Sequence, residues 1–322
     1  MIKVDHLVKR YGTNYALNDI SFEIGEGEIV GLLGPNGAGK STAMNILTGY
    51  LSSTSGSVTI DGIDILDDPI EAKRRIGFLP EQPPVYPDMT VGEYMNFVYE
   101  LKGCTLPREA HLAEIYSVVK ITDVKDRLIK NLSKGYKQRV GIAAALVGDP
   151  KIVIFDEPTV GLDPKQILEV RNLIRKLGRR HTVILSTHIL AEVQSVCERV
   201  VIINRGKIIA DAKTDEIAHT IEDVMRVRVK IAGPKSSIES ALSSLRGVRS
   251  CEATNEREAD AFTYEITGER GVDIRKPVFF LCASNSWPIL AMSQMGADLE
   301  SVFIRLVDKS EGVAPTRAKS RS

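Results

Sequence analysis

The sequence has few cysteines, no excess of either charge and no long hydrophobic run. Its 322 residues include 4 cysteines, which are scattered without a Cys-x-x-Cys pair, so neither a disulfide framework nor a zinc site is predicted. Lysine plus arginine and aspartate plus glutamate each total 42, and this balance argues against a protein that coats nucleic acid. We therefore expect reduced thiols and no nucleic-acid partner.

The sequence also lacks a membrane-spanning segment, because no uninterrupted apolar run reaches the required length of about 20 residues. The best candidate, residues 277–292, is interrupted by Asn285 and Pro288. Residues 1–6 show no apolar core of a signal peptide. A composition of 43% hydrophobic and 26% charged residues is typical of a globular protein. We therefore expect a cytoplasmic protein.

The length predicts about two domains. The character of the sequence changes after residue 217, and residues 218–308 are predicted to form a small α+β domain. The predicted elements of this domain are strands at 224–232 and 262–267, a helix at 236–245, and further elements at 273–282 and 298–307. Residues 309–322 are polar and rich in Ser, Lys and Arg, and are predicted to be a disordered tail.

The strongest motif lies at residues 34–42, where the sequence fits G-x-x-x-x-G-K-[ST]. An apolar run at 28–33 precedes it and a helical pattern at 42–48 follows it, which is the context of a phosphate-binding loop. Backbone N–H groups and the helix N-terminus attract phosphate; a chance glycine-rich turn is the alternative. Lys40 is expected to reach the β- and γ-phosphates, and Ser41 to ligate Mg²⁺. The predicted phosphate site consists of Gly34, Pro35, Asn36, Gly37, Ala38, Gly39, Lys40, Ser41 and Thr42.

Two further apolar runs end in polar residues. Residues 151–155 resemble a strand buried in a parallel sheet and lead into Asp156 and Glu157. Such acids can hold the water shell of a metal and polarise a nucleophilic water, although a solvated acidic turn would look similar. His188 follows the predicted strand 182–187, at the edge where open α/β sheets bind ligands; a lone histidine is otherwise more often structural.

Other candidates are less specific by themselves. Tyr11 precedes the phosphate loop and is predicted to stack on adenine rather than only to pack. Residues 91–147 show helical spacing and are predicted to be an insertion outside the sheet. Within it, Ser133 and Gly135 begin a helix, where they form either an anion site or a simple N-cap.

Taken in order, these motifs resemble the ATP-binding subunit of an ABC (ATP-binding cassette) transporter, over residues 1–217. The resemblance identifies residues 34–42 as Walker A, residues 132–136 as the signature motif, and Asp156 with Glu157 as Walker B and the general base. It identifies Tyr11 as the adenine-stacking aromatic, Asp163 as part of the D-loop and His188 as the switch histidine. The implied fold is an α/β P-loop ABC ATPase cassette with antiparallel β and helical subdomains, the latter at about 88–150, plus the small C-terminal α+β domain.

The sequence departs from the family pattern at two places. In the signature, Lys134 and Tyr136 replace the usual Gly and Gln, a form that resembles drug, gliding-motility and copper-processing exporters. At the Q-loop position an ungapped alignment places Glu81, with Gln82 one residue later; a glutamate oxygen can still ligate Mg²⁺. Residues 296–306 also resemble the L-E-x-x-F ending of such exporter subunits.

The resemblance implies an ATPase that powers an exporter, with ATP and Mg²⁺ as cofactors. It implies catalytic roles for Lys40, Glu157 and His188, and metal ligation by Ser41, Asp156 and Glu81. It also implies a homodimer, or a pair with a related ATPase subunit, in which Ser133 and Gly135 act in trans. The expected partners are membrane-spanning permease subunits on separate chains, at the inner face of the cell membrane.

Two other functions remain as alternatives. A soluble ABC ATPase acting on nucleic acid or ribosomes is disfavoured, because this chain has a single cassette without a long coiled coil. A small-molecule kinase would give the signature motif no purpose.

Overall fold

The computed structural model describes residues 1–214, 224–258 and 260–295. The chain divides into two compact units, Met1–Thr214 and Asp215–Ser322, a division close to the boundary predicted after residue 217. The predicted element at 298–307 and the predicted tail at 309–322 lie outside the described residues. Within the described part, no helix combines the length and hydrophobicity of a membrane span.

The first unit contains two sheets with helices around them. Its strands are β1 (Ile2–Tyr11), β2 (Asn14–Ile24), β3 (Ile29–Leu33), β4 (Ser55–Ile60), β5 (Ile63–Asp64), β6 (Ile76–Leu79), β7 (Ile152–Asp156), β8 (Thr182–Thr187), β9 (Arg199–Asn204) and β10 (Lys207–Lys213). Its helices are α1 (Lys40–Leu47), α2 (Pro69–Arg74), α3 (Val91–Leu101), α4 (Arg108–Val119), α5 (Lys134–Leu146), α6 (Pro164–Leu177) and α7 (Leu190–Val196).

The first sheet is antiparallel, in the order β2-β1-β4-β5, as the alternating pattern of the opening residues predicts. β1 and β2 run further than this pattern suggests, because bulges shift their register. His6 (φ 47°) and Asp19 (φ 61°) adopt left-handed backbone conformations in this region, and an extra residue at a bulge breaks the strict alternation of side chains.

The second sheet has six strands in the order β10-β9-β3-β8-β7-β6. β3 is parallel to β8 and β9, and β7 is parallel to β6 and β8, while β10 closes an antiparallel hairpin with β9. All residues of β3, β7 and β8 are buried, which explains their continuous apolar runs. One hydrophobic core joins this sheet to the antiparallel sheet and α1. The carboxyl ends of β3, β7 and β8 therefore meet at one edge.

The predicted insertion is helical and contains α3, α4 and α5, with short 3₁₀ turns between α4 and α5. α3 begins with a capping box: Thr90 Oγ1 accepts a hydrogen bond from the Glu93 N–H, and the Glu93 carboxylate accepts one from the Thr90 N–H. The Ser133 hydroxyl caps α5, so the signature residues begin a helix.

The described part of the second unit has the order β11 (Val224–Ala232), α8 (Lys235–Ser243), β12 (Val248–Glu258), β13 (Ala261–Arg270), α9 (Arg275–Ser284) and β14 (Ile289–Met295). Its antiparallel sheet has the strand order β12-β13-β11-β14, which is the split β-α-β arrangement of ferredoxin-like folds. Val227, Val229 and Ile231 pack with residues of both helices in one core. The sequence pattern missed β12 and β14.

Candidate active site

The phosphate loop joins β3 to α1 and packs tightly against the rest of the first unit. Gly39 has φ 110°, and a Cβ atom there would lie 2.5 Å from the Ala16 carbonyl oxygen. A Cβ at Gly34 would lie 2.2 Å from the Ile203 carbonyl oxygen. Only glycine fits both positions, and the loop therefore holds its backbone close to the sheet at the start of α1.

Lys40 is the buried cation of the loop, with 5% of its surface exposed. Its Nζ donates hydrogen bonds to the Gly34 oxygen at 2.8 Å and the Pro35 oxygen at 3.2 Å. Nζ also lies 3.5 Å from Glu157 Oε1. The ammonium group is thus fixed between the loop carbonyls and a carboxylate.

Asp156 ends β7 beside the loop. Its Oδ1 lies 3.5 Å from the Ser41 hydroxyl oxygen and also accepts a short hydrogen bond from the Ser186 hydroxyl. The carboxyl group is buried. Two hard oxygen donors, from Ser41 in the first turn of α1 and Asp156 at the end of β7, therefore face each other beside the phosphate loop.

Glu157 follows in a left-handed conformation, with φ 48°, which is uncommon for a residue with a Cβ atom. Ser186 holds its N–H, which donates to the Ser186 carbonyl oxygen at 3.2 Å and to its hydroxyl at 3.0 Å. This turn directs the Glu157 carboxylate towards His188, whose Nδ1 lies 3.0 Å from Oε2. Local backbone strain of this kind is found at functional sites.

Lys40, Glu157 and His188 line a cavity of about 390 Å³, and Asp156 is not among its lining residues. The cavity is lined by Ala16, Asn36, Gly37, Gly39, Lys40, Ser41, Thr42, Glu81, Glu157, Val160 and His188. The structure therefore brings the phosphate loop, the acid after β7 and the histidine after β8 together, as the sequence predicts. Glu81 lines the cavity, whereas its neighbour Gln82 is not among the lining residues.

Other predicted residues lie apart from this cavity in the same chain. Tyr11 is 54% exposed, and Lys9 Nζ lies 5.3 Å from its ring centre. Asp163 caps α6 by accepting a hydrogen bond from the Gln166 N–H at 2.9 Å. Neither residue lines the cavity, so the adenine-stacking role of Tyr11 and the nucleotide contact of Asp163 stay predictions.

The signature residues also lie outside the cavity. The Ser133 hydroxyl accepts a hydrogen bond from the Tyr136 N–H at 3.4 Å, and Gly135 packs so closely on Gln166 that a Cβ would lie 2.6 Å from its side chain. The Tyr136 hydroxyl donates to the Asp123 carboxylate at 3.0 Å. The unusual tyrosine is thus held within its own chain, while Ser133 remains exposed.

Several site residues carried no motif that sequence reasoning could use. Ala16 and Val160 line the cavity, and Ser186 contacts both Asp156 and Glu157. Ser186 comes two residues before His188, so its place at the end of β8 was the only available signal. The buried Glu192, in α7, gave none.

The fold and the cavity define a P-loop nucleotide-binding protein, and comparisons with known proteins specify the class further. Residues 17–160 match the family model described as ABC transporter. The ABC transporter ATP-binding protein YxlF of Bacillus subtilis is 31% identical over 308 residues, which cover 95% of this chain and 99% of YxlF.

Two other comparisons cover about two thirds of the chain. The lipopolysaccharide export system ATP-binding protein LptB of Haemophilus influenzae is 35% identical over 232 residues, covering 70% of this chain and 96% of LptB. The solved dimeric structure of MJ0796, a bacterial ABC transporter cassette, aligns with a TM-score of 0.61 and 32% identity, over 66% of this chain and 99% of that one. The chain belongs to the ATP-binding subunits of ABC transporters. It binds ATP and is an ATPase.

Proposed function

We propose that this ATPase powers an exporter, working as a head-to-tail dimer at the inner face of the cell membrane. The ATPase part of this proposal rests on the cavity in which Lys40, Glu157 and His188 meet beside the phosphate loop. The permease subunits are separate chains. Export is supported by the similarity to LptB, whose name places it in an export system, and by the Lys134-Gly-Tyr136 form of the signature.

Lys40 and Glu157 have complementary tasks in ATP hydrolysis. Phosphoryl transfer depends mainly on positioning and on stabilising charge. A γ-phosphate in the cavity competes with Glu157 for Lys40, since the two side chains lie 3.5 Å apart. When Lys40 turns to the phosphate, Glu157 is left with His188 and is free to orient and deprotonate the attacking water. His188 then contacts the γ-phosphate in the cavity.

The donor set fits Mg²⁺. In the described part of the chain, no cluster of three His, Cys, Asp or Glu side chains could hold a metal alone. Mg²⁺ characteristically takes one or two carboxylates together with substrate phosphates, and Ser41, Asp156 and Glu81 offer oxygen atoms of that kind. These residues would hold the ion, which when bound neutralises the charge of the phosphates.

The head-to-tail arrangement accounts for Ser133 and Gly135. They begin α5 outside the cavity of their own chain, where Ser133 is exposed. In a twofold dimer each chain offers the same surface to the other. Ser133 and Gly135 of one chain therefore contact the γ-phosphate that Lys40 of the other chain holds.

A mixing experiment tests this sharing. Lys40→Ala disables the phosphate loop and Ser133→Arg blocks the signature, so each purified variant alone is expected to lack MgATP hydrolysis. In an equal mixture, half of the dimers carry both variants, and each of these keeps one intact site formed by the two unaltered surfaces. The mixture is expected to recover about a quarter of wild-type turnover. Lys40→Ala mixed with Glu157→Gln is the control. Both changes disable the part of the shared site that contains the phosphate loop, so no dimer in this mixture keeps an intact site.

A mixture that stays as inactive as its components would contradict the shared site. Full activity of Ser133→Arg alone would contradict it as well, because the signature would then have no part in hydrolysis.

A further inference from the structure

Glu192 lies behind the candidate active site, in the first turn of α7, with 1% of its surface exposed. A carboxyl group at this depth needs polar partners, because burying it alone is costly. Both of its oxygens have one. Thr159 Oγ1 donates to Oε1 at 2.5 Å, and Thr187 Oγ1 donates to Oε2 at 2.7 Å. Arg171 Nη2, from α6, lies 3.7 Å from Oε1.

These two threonines are the neighbours of the proposed catalytic residues. Thr159 lies two positions after Glu157, and Thr187 lies directly before His188. The Thr187 hydroxyl also accepts a hydrogen bond from the Ile189 N–H at 3.0 Å. This hydroxyl donates to the Glu192 carboxylate and accepts from the Ile189 N–H. It therefore links the backbone around His188 to the Glu192 carboxylate.

The contacts form a closed ring. From Glu157 the chain runs through Pro158 to Thr159, whose hydroxyl reaches Glu192. From Glu192 the ring continues through Thr187 to His188, whose Nδ1 lies 3.0 Å from the Glu157 carboxylate. A closed ring restricts its members more than an open chain of contacts. Neither the segment with Glu157 nor the segment with His188 can shift without breaking a hydrogen bond of the ring.

From this geometry we infer that Glu192 is a positioning residue for ATP hydrolysis. It does not line the cavity, but it fixes the segments that carry Glu157 and His188 at their mutual distance. The inference rests on the proposed function, in which these two residues act on the water and the γ-phosphate. Misplacement of a reacting group by about 1 Å can cost about a hundredfold in rate, so a ring of this kind has a measurable effect on turnover.

The primary test compares Glu192→Leu and Glu192→Gln in the full-length protein. Leucine keeps the volume but leaves the Thr159 and Thr187 hydroxyls without their acceptor, and kcat for MgATP is expected to fall about tenfold or more. The affinity for a non-hydrolysable ATP analogue should stay within about twofold, because the phosphate loop is untouched. Glutamine preserves the shape and a hydrogen bond to each hydroxyl, so kcat should recover to within about threefold of wild type.

Strand β8 supplies a matched control pair. Thr187 and Thr182 lie at its two ends and are both buried, and the Thr182 hydroxyl accepts from the Gly27 N–H at 2.9 Å, outside the ring. Thr187→Val and Thr182→Val remove the same group and should lower Tm to a similar extent. Only Thr187→Val should lower kcat. This pair decides the matter if Glu192→Leu fails to fold.

The inference is overturned if folded Glu192→Leu keeps wild-type kcat, or if Thr187→Val and Thr182→Val change kcat equally. Loss of kcat in Glu192→Gln as large as in Glu192→Leu would also overturn it, since the hydrogen bonds would then not matter. Lys40→Ala and Glu157→Gln in the same assay separate this outcome from failure of the proposed function: if these two variants stay active, the proposed function itself is wrong.

Discussion

The two units of the chain differ in the polar groups that they bury. In the first unit, the buried Lys, Asp and Glu side chains are Lys40, Asp156, Glu157 and Glu192, and their contacts all lie around or behind one cavity. In the described part of the second unit, Thr263 is the one buried polar side chain, and its hydroxyl has no hydrogen-bond partner. Burying polar groups opposes folding, so their concentration beside the cavity indicates that the chemistry resides in the first unit.

Ion pairs differ between the units in one respect: the first unit contains the buried Lys40–Glu157 pair among many exposed pairs. In the second unit the Arg228–Glu265 and Lys230–Glu258 pairs lie on the sheet face away from the core, and their side chains are at least partly exposed. Exposed pairs contribute at most about 1 kcal/mol. The second unit is thus an ordinarily stabilised small domain, and we expect it to regulate or dock rather than to react.

The largest expected effect separates a buried lysine of the first unit from an exposed one of the second. Lys40→Ala should lower MgATP turnover by about a hundredfold or more, because the phosphates lose a fixed cation in a water-poor site, and it should weaken ATP binding. Lys230→Ala removes only a surface pair with Glu258 and should leave turnover unchanged. Equal effects of the two changes, measured by phosphate release, would contradict the assignment of the chemistry to the first unit.

The next effect lies within one loop. Glu81 lines the cavity and Gln82 does not, so Glu81→Ala should reduce turnover by about tenfold through loss of an oxygen near the phosphates. Gln82→Ala is the matched control and should change turnover less than about threefold. The reverse ranking in steady-state kinetics would assign the Q-loop position to Gln82 and restore the ordinary family glutamine.

A smaller effect is expected from removing the second unit altogether. The cavity residues all precede Thr214, so a chain ending there should bind ATP with an affinity within about threefold of the full chain. Isothermal titration calorimetry on the folded, truncated protein gives this value directly. Complete loss of binding, with circular dichroism showing an intact fold, would mean that the second unit contributes to the nucleotide site.

The smallest effect compares two aspartates, one in each unit. The amino group of Met1, with Lys151 and Arg75, lowers the pKa of Asp61 to about 2; the Arg275 side chain lowers the pKa of exposed Asp273 to about 2. A carboxyl group whose pKa is lowered in the folded state stabilises the fold at pH values above its ordinary pKa near 3.8. This contribution is lost as the pH falls towards 2.

Asp61→Asn should therefore reduce the free energy of unfolding at pH 7 by about 1–2 kcal/mol, after allowance for screening. The difference from wild type should shrink as pH falls below about 4. Asp273→Asn removes only a local surface pair and should leave Tm unchanged within error. A larger Tm loss for Asp273→Asn would show that exposure does not separate the two cases.

The first unit was largely predictable because its motifs combine spacing with chemistry. Glycines 34, 37 and 39 predict the phosphate loop, and the two acids after an apolar run predict the edge of the sheet. The partners that hold these groups were not predictable. Ser186 and Glu192 act partly through contacts between distant residues. The hydrogen bond from Ser186 to Asp156 spans 30 positions and that from Thr159 to Glu192 spans 33, and no local pattern encodes such contacts.

The second unit was less predictable because two of its strands carry weak signals. β12 has the sequence VRSCEATNERE, in which charges and register shifts obscure the alternation. β14 follows Pro288 directly, and its residues merged with α9 into one apolar stretch at 277–292. β12 pairs with β13, and β14 pairs with β11. Such pairing between distant segments overrides local propensity.

In the proposed mechanism, Glu157 activates water for an ATP shared between two chains. Glutamine at position 157 keeps the shape of the side chain but removes its basicity, so hydrolysis should fall by about 10²–10⁴-fold while ATP stays bound. Size-exclusion chromatography of Glu157→Gln with MgATP should then show a dimer that is absent without nucleotide. Adding Ser133→Arg to this variant should restore the monomer. A Glu157→Gln protein that remains monomeric at saturating MgATP, or that hydrolyses ATP at the wild-type rate, would contradict the claim.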